Sequence, residues 1–293
     1  MIALVLRRGA LGDTIVMLPI LDYLATDPRI ESVDFAGVSD FAELFEERGR
    51  VRRALSSETL ALHRTLLGET LAWVDRYDLV IGEPALPHVN PRSLAFDVRV
   101  DEREDMQASR QLFERFAAVF EARFGMRPRH DGRVRIKSLP TDGPRREDHV
   151  WIHAGAGSAK KLWPAFEARA PALVHDLLEA GLDVTISFGP ADASLRTSLR
   201  TDPRTRIVES PRITEFARGL TTATVFLGHD TGPAHLAAAL GLPTVILIGD
   251  ASHQRVWMPY GRIDPITIDW TDMSTDEVLS AIRAIVRDTC SVD

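Results

Sequence analysis

The sequence predicts an α/β protein built from two doubly wound parallel sheets. Short apolar runs alternate with amphipathic stretches almost from end to end, which is the order expected when each strand of a parallel sheet is followed by a helix. The runs are apolar throughout rather than at every second residue, as in strands that are covered on both faces. At 293 residues the chain is long for one compact core and suits two domains of ordinary size.

The apolar runs predict the strands directly. Between them, apolar residues recur at spacings of three and four, and this period predicts helices around residues 112–124 and 173–178. The predicted strands are residues 2–6, 33–37 and 79–82 in the first half of the chain, and residues 150–153, 184–188, 225–228 and 245–249 in the second.

A segment without apolar periodicity separates the two halves. Residues 137–148 are rich in Pro, Gly and charge and come just before a new strand. We therefore predict a first domain over residues 1–140 and a second over residues 149–274. Residues 275–293 are expected to form a closing helix, with Ser274 as its N-cap.

Composition excludes several classes of protein. A formal net charge of −7 with 35 Lys and Arg residues is unlike the basic surface of a nucleic-acid-binding protein. The single cysteine, Cys290, excludes a disulfide framework and a cysteine metal site and suits a reducing cytosol. No run approaches the roughly 20 apolar residues of a membrane span. We expect a cytoplasmic protein with at most a peripheral membrane contact.

The first of three unusual loops is RRGALGDTIVMLP, which follows the first predicted strand. Gly9 and Gly12 allow a tight turn, and Asp13 stands at the start of a helix. Asp13 is either a helix cap or a functional carboxylate. Pro19 lies further along, so the helix is either kinked there or begins late.

The second loop is HAGAGSAKKLWP, which follows the first strand of the second domain. Its glycines and Ser158 leave backbone amides open to an anion, and Lys160 and Lys161 add positive charge. The spacing of a P-loop is absent. A flexible surface turn with solvated lysines is the alternative interpretation.

The third loop lies in FLGHDTGPAHLAAALGLPTVILIG, between two predicted strands. A helix N-terminus here offers free N–H groups and about half a positive charge, which favours a phosphate, and Pro233 suits its first turn. Capping by Asp230 or Thr231 and a structural His235 are the alternatives. However, a cap needs one polar residue and GHDTGPAH supplies four around a glycine, which favours a ligand site.

Together these segments resemble glycosyltransferase family 9, the ADP-heptose:lipopolysaccharide heptosyltransferases. The matching patterns are LGD-x(5)-P, IH-x-G-x-G-S followed by K-x-WP, and G-x-D-[ST]-G-x-x-H-LAAALG-x-P, in the family's order. The resemblance implies the GT-B fold, in which two Rossmann-like domains face each other across a cleft. It also implies that the final helix crosses back to the first domain.

The resemblance implies an inverting transferase that moves a sugar, heptose in this family, from an ADP-sugar to a glycan or glycolipid such as the lipopolysaccharide inner core. Asp13 would be the catalytic base, and Lys161 would neutralise the leaving diphosphate. The ADP-sugar is a co-substrate and no cofactor is implied. No paired carboxylates suited to a metal stand near the loops, so we expect metal-independent transfer. The donor side would comprise Gly157, Ser158, Lys160, Asp192, Asp230, Thr231, Gly232 and His235, and the acceptor side Arg7, Gly12 and Arg64.

The acceptor side departs from the family. Where members carry an Asp-x-Gln-Gly-like segment, DLVIG runs into EPALPHVNP, and the first half of the chain is short. A basic wall is expected for the family's anionic acceptors, with Arg8, Arg52 and Arg53 as further candidates. For Asp192, a surface turn is the alternative to a ribose or base contact. For the whole chain, the alternatives are a GT-B sugar-nucleotide epimerase and a nucleotide-binding homologue without catalysis.

Overall fold

A computed structural model describes residues 1–46, 51–58, 60–61, 64, 71–82, 93–136, 146–209, 211–249, 255–271 and 274–290. The chain forms two compact units, Met1–Arg135 and Ile136–Asp293. Most of the segment that predicted the domain boundary, residues 137–145, lies outside the described residues, as does the segment EPALPHVNP at 83–91.

The first unit contains a five-stranded sheet in the order β3-β2-β1-β4-β5, with all neighbouring strands parallel. The first strand therefore lies in the middle, and the chain builds outward from it on both sides. The strands are β1 (Ile2–Leu6), β2 (Ser32–Gly37), β3 (Arg53–Ser56), β4 (Leu79–Gly82) and β5 (Ser93–Ala95); the helices are α1 (Leu11–Ile15), α2 (Leu18–Thr26), α3 (Ser39–Glu46) and α4 (Ala108–Phe124).

Pro19 marks the beginning of the second helix after the first loop. α1 ends at Ile15, and α2 begins at Leu18 with Pro19 in its first turn, where the missing proline N–H leaves no hydrogen bond unmade. The single helix considered from sequence is thus two, and Asp13 lies on a short helix of its own.

The second unit contains a six-stranded parallel sheet in the order β11-β10-β9-β6-β7-β8. Its first strand also lies inside the sheet, with later strands added on both sides. The strands are β6 (His149–His153), β7 (Asp183–Phe188), β8 (Arg206–Glu209), β9 (Val225–His229), β10 (Thr244–Ile248) and β11 (Ile266–Asp269); the helices are α5 (Phe166–Glu179), α6 (Ala193–Ser198), α7 (Ile213–Thr221), α8 (Gly232–Ala239) and α9 (Thr275–Cys290). The two sheets confirm the predicted α/β class.

The C-terminal helix packs within the second unit. Val278, Leu279 and Ile282 are buried in the core of the second unit, and α9 packs on α5, β9 and β10. Its apolar face is therefore part of the core of the second unit, and a crossing back to the first domain stays a prediction. Ser274 caps this helix as predicted, because its Oγ accepts the Glu277 N–H at 3.2 Å.

Two of the candidate acceptor arginines have a structural partner. Arg52 and Arg53 both donate to the fully buried Asp34, at 2.9 and 2.7 Å from Oδ2, and the Tyr77 hydroxyl donates to the same oxygen at 2.7 Å. Burial raises the pKa of Asp34, but these hydrogen bonds outweigh burial and hold it below its ordinary value. Both arginines therefore compensate the buried charge of Asp34.

Among the described helices, none is both long enough and apolar enough to cross a bilayer.

Candidate functional site

The three predicted loops occupy equivalent places in the two sheets. In a doubly wound sheet, ligands bind beyond the carboxyl ends of the strands, where the strand order reverses. In the first sheet that point lies between β1 and β4, and in the second between β6 and β9. The loop after β1 carries Asp13, and the loops after β6 and β9 carry Lys161 and Asp230.

Asp13 both caps a helix and forms an ion pair. Its Oδ2 accepts the Ala10 N–H at 3.1 Å, as a capping carboxylate would. Its Oδ1 lies 2.6 Å from Arg7 Nη2, and the side chain remains 30% exposed. The capping interpretation is therefore correct but incomplete, because an exposed part of the carboxylate is left for another contact.

An ion pair joins the two loops of the second unit. Lys161 Nζ lies 2.7 Å from Asp230 Oδ2, although the residues are 69 positions apart. The Asp230 side chain is 4% exposed and that of Lys161 is 45% exposed. His235 Nε2 lies 3.9 Å from the other oxygen of Asp230. The ion pair thus spans the point where the strand order reverses and leaves part of the ammonium open.

The N-terminus of α8 lies beside this pair and is not capped by Thr231. Thr231 occupies the N-cap position in an extended conformation, with φ −144° and ψ 166°, but its side chain makes no hydrogen bond to the amides of α8. Its hydroxyl donates instead to the His229 carbonyl at 3.2 Å. Since the Thr231 side chain is turned away, the positive end of the helix dipole keeps its capacity to bind an anion.

The remaining predicted residues differ in exposure. Gly157, Ser158 and Lys160 lie on the exposed turn before Lys161, where Ser158 Oγ accepts the Lys160 N–H at 3.3 Å. In the first unit, Gly12 is half-buried beside Asp13 and Arg64 is exposed.

The Asp192 side chain is buried, although its neighbours Pro190, Ala191 and Ala193 in the same turn are exposed, so its role stays a prediction. Its Oδ2 accepts the Gly189 N–H at 2.7 Å, and burial raises its pKa. Gly155 makes room for it, because a Cβ on Gly155 would lie 1.9 Å from the same oxygen. The carboxylate is therefore held by a hydrogen bond within its own loop and packs against Gly155 in the loop after β6.

Two buried histidines at this edge were not singled out from the sequence. Burial lowers the pKa of His153 to about 3 and that of His229 to about 4. For His229, the nearby Gly155 carbonyl raises the pKa, but burial outweighs this effect. Neither ring nitrogen of His229 makes a hydrogen bond of normal geometry in the described part of the chain. Both histidines are the last residues of their strands, directly before the loops. This position is the sequence feature from which they could have been predicted as part of the site.

In the described ranges, no three His, Cys, Asp or Glu side chains gather closely enough to hold a metal ion. Metal-independent transfer stays a prediction.

Gly155→Ala is expected to destabilise the second unit by about 1–3 kcal/mol, because the new Cβ collides with the Asp192 carboxylate. Gly157→Ala is the matched control, since a Cβ there meets no atom within 4 Å. Urea unfolding of both variants measures the difference. Equal stabilities would show that Asp192 does not pack against Gly155.

His229→Phe is expected to reduce the acid sensitivity of the fold. Above pH 6.5, His229 is neutral in both the folded and the unfolded chain and does not change the free energy of unfolding. Below pH 6.5, the unfolded chain takes up the proton first, because the pKa of His229 in the folded chain is lowered to about 4. His229 should therefore cost about 2 kcal/mol of stability between pH 7 and pH 5.

Urea unfolding at these two pH values checks the His229 prediction. The variant should lose less stability than the parent, whereas His175→Gln, at an exposed position, should keep the parent's pH dependence. Equal losses in His229→Phe and the parent would contradict a neutral buried His229.

Known proteins resemble this chain in sequence and in fold. The profile of glycosyltransferase family 9 (heptosyltransferase) matches residues 101–274. Lipopolysaccharide heptosyltransferase 3 of Escherichia coli is 27% identical over 140 residues, which are 43% of this chain and 41% of that protein. The chain spans only 35% to 41% of the length of the curated relatives it matches.

Two solved structures share the fold over nearly their whole length. E. coli heptosyltransferase WaaC with ADP has a TM-score of 0.71 at 17% identity, covering 97% of this chain and 100% of that one. E. coli ADP-heptose lps heptosyltransferase II has a TM-score of 0.74 at 17% identity, covering 99% and 100%. These likenesses confirm the predicted GT-B class.

The family profile covers more than half of the sequence and includes the K-x-WP and G-x-D-[ST]-G-x-x-H elements. The chain belongs to glycosyltransferase family 9.

Proposed function

We propose that this chain transfers heptose from an ADP-activated donor to a glycan acceptor of the lipopolysaccharide inner core, with inversion at the anomeric carbon. The observation that carries the proposal is the Lys161–Asp230 ion pair beside the N-terminus of α8. A half-exposed ammonium and a helix dipole there suit a diphosphate. Charge that develops on a leaving group is stabilised best by such fixed donors.

In the proposed reaction, an acceptor hydroxyl oxygen attacks the anomeric carbon on the face opposite the diphosphate. The new C–O bond forms as the bond from that carbon to the phosphate oxygen breaks, and its electron pair leaves with ADP. The hydroxyl proton passes to the Asp13 carboxylate. The Lys161 ammonium and the backbone N–H groups of Thr231 and Gly232 stabilise the negative charge that develops on ADP.

The choice of basic residue supports a dedicated role for Lys161. Only three of the 35 basic residues are lysines, and two of these are Lys160 and Lys161. The chain uses arginine almost everywhere else. A lysine ammonium is a compact charge on a flexible stem, so it can stay near Asp230 and still turn toward a phosphate.

The identities of donor and acceptor rest on relatives. The family description names heptosyltransferases, the WaaC structure contains ADP, and the E. coli relative is a lipopolysaccharide enzyme. A glycolipid acceptor would bring the protein to the inner face of the cytoplasmic membrane as a peripheral contact.

Asp13→Asn is expected to lower the rate of transfer about 10²- to 10⁴-fold while leaving ADP binding intact, because the amide cannot accept the hydroxyl proton. The assay offers ADP-, GDP- and UDP-sugars with a lipopolysaccharide inner-core acceptor and follows product by mass spectrometry. Undiminished transfer by the variant would remove Asp13 as the base. A parent that converts a UDP-sugar without an acceptor would instead be an epimerase, and one that binds ADP without any turnover a non-catalytic homologue.

Lys161→Met is expected to weaken ADP binding about tenfold or more through loss of a charge-assisted hydrogen bond. Isothermal titration calorimetry measures this, with Asp13→Asn as the control that should bind like the parent. The variant also removes the partner of the buried Asp230, so its thermal stability is recorded in parallel. Unchanged ADP affinity in a folded variant would place the diphosphate elsewhere.

A further inference from the structure

Both oxygens of the Asp13 carboxylate are engaged within the first unit. Oδ1 accepts from Arg7 Nη2 at 2.6 Å, and Oδ2 accepts from the Ala10 N–H at 3.1 Å. The side chain also lies against Gly9, where a Cβ would be 2.6 Å from the Asp13 Cβ. Two donors on different oxygens fix both the direction and the rotation of the carboxylate.

Arg7 is itself held by the sheet edge. It directly follows β1, its N–H donates to the Ala36 carbonyl of β2 at 2.9 Å, and its side chain is only 9% exposed. Gly37 lies close behind, since a Cβ there would be 2.7 Å from the Arg7 carbonyl oxygen. The Arg7 guanidinium is therefore held in place by the residues packed around it and is not a mobile surface group.

This burial argues against the acceptor-side role that the sequence predicted for Arg7. An acceptor anion would have to compete with Asp13 for a guanidinium that is already buried and ion-paired. By contrast, Arg64 and Arg8 are exposed, as a residue that captures a substrate from solvent would be.

We propose that Arg7 is a positioning residue for Asp13 rather than an acceptor contact. The inference rests on the proposed function, in which Asp13 takes the hydroxyl proton. Arg7 holds Oδ1 and Ala10 holds Oδ2, so the exposed part of the carboxylate meets the acceptor in one orientation. Because a misplacement of about 1 Å can cost about 10²-fold in rate, such a clamp acts on kcat.

Steady-state kinetics of Arg7→Met and Arg7→Lys, with the donor and acceptor on which the parent is active, test this role. Arg7→Met should lower kcat between about tenfold and a hundredfold, with the KM for the acceptor changed little. Arg7→Lys should recover part of kcat, because an ammonium can also donate to Oδ1. A raised acceptor KM with unchanged kcat would overturn the proposal and restore the acceptor-side role.

A double-mutant cycle separates positioning from general damage to the fold. If Arg7 acts through Asp13, Arg7→Met should have no further effect on the residual kcat of Asp13→Asn. Additive losses would overturn the proposal. If Arg7→Met does not fold, Arg7→Lys carries the same cycle.

The outcomes also distinguish this inference from the proposed function. If Asp13→Asn retains full transfer, the proposed function has failed. If Asp13→Asn is strongly impaired while Arg7→Met keeps the parent's kcat, only the positioning role has failed.

Discussion

The ion pair between Lys161 and Asp230 organises the carboxyl edge of the second sheet. A carboxylate that is 4% exposed is costly unless a cation compensates it, and the cation here comes from a different loop. Because Lys161 is 45% exposed, the pair is only half-desolvated. The arrangement therefore ties two loops together and still leaves positive charge at the surface, which is what an anion site requires.

Two buried histidines at this edge add no charge to it near pH 7. Burial lowers the pKa values of His153 and His229, so both rings are neutral near pH 7. Positive potential at the loops therefore comes from Lys160, Lys161 and the helix dipole of α8 rather than from His153 or His229. The neutral rings fill space behind the loops, where His229 lies between Phe166 and Trp270 with ring centroids 5.2 and 6.0 Å away.

The sequence was most informative about the interior of the sheets. Each predicted strand is an interior strand and matches the structure to within a residue at either end, whereas the four that were missed, β3, β5, β8 and β11, are the four edges. Edge strands are short and partly exposed, so they lack a continuous apolar run.

The Lys161–Asp230 contact could not be derived from local pattern, since only the tertiary fold brings residues 69 positions apart together. The burial of Asp192 depends on the missing side chain of Gly155, which no spacing reveals.

Each unit places a glycine beside a carboxylate, but the two carboxylates differ in exposure. In each, a glycine in the loop after the first strand makes room for a carboxylate, Gly9 for Asp13 and Gly155 for Asp192. Asp192 is buried and accepts a backbone N–H of its own loop, and burial raises its pKa. Asp13 is 30% exposed and paired with an arginine. A general base must lie within hydrogen-bond reach of its proton, directly or through one water, and of these two carboxylates only Asp13 combines exposure with a fixed orientation.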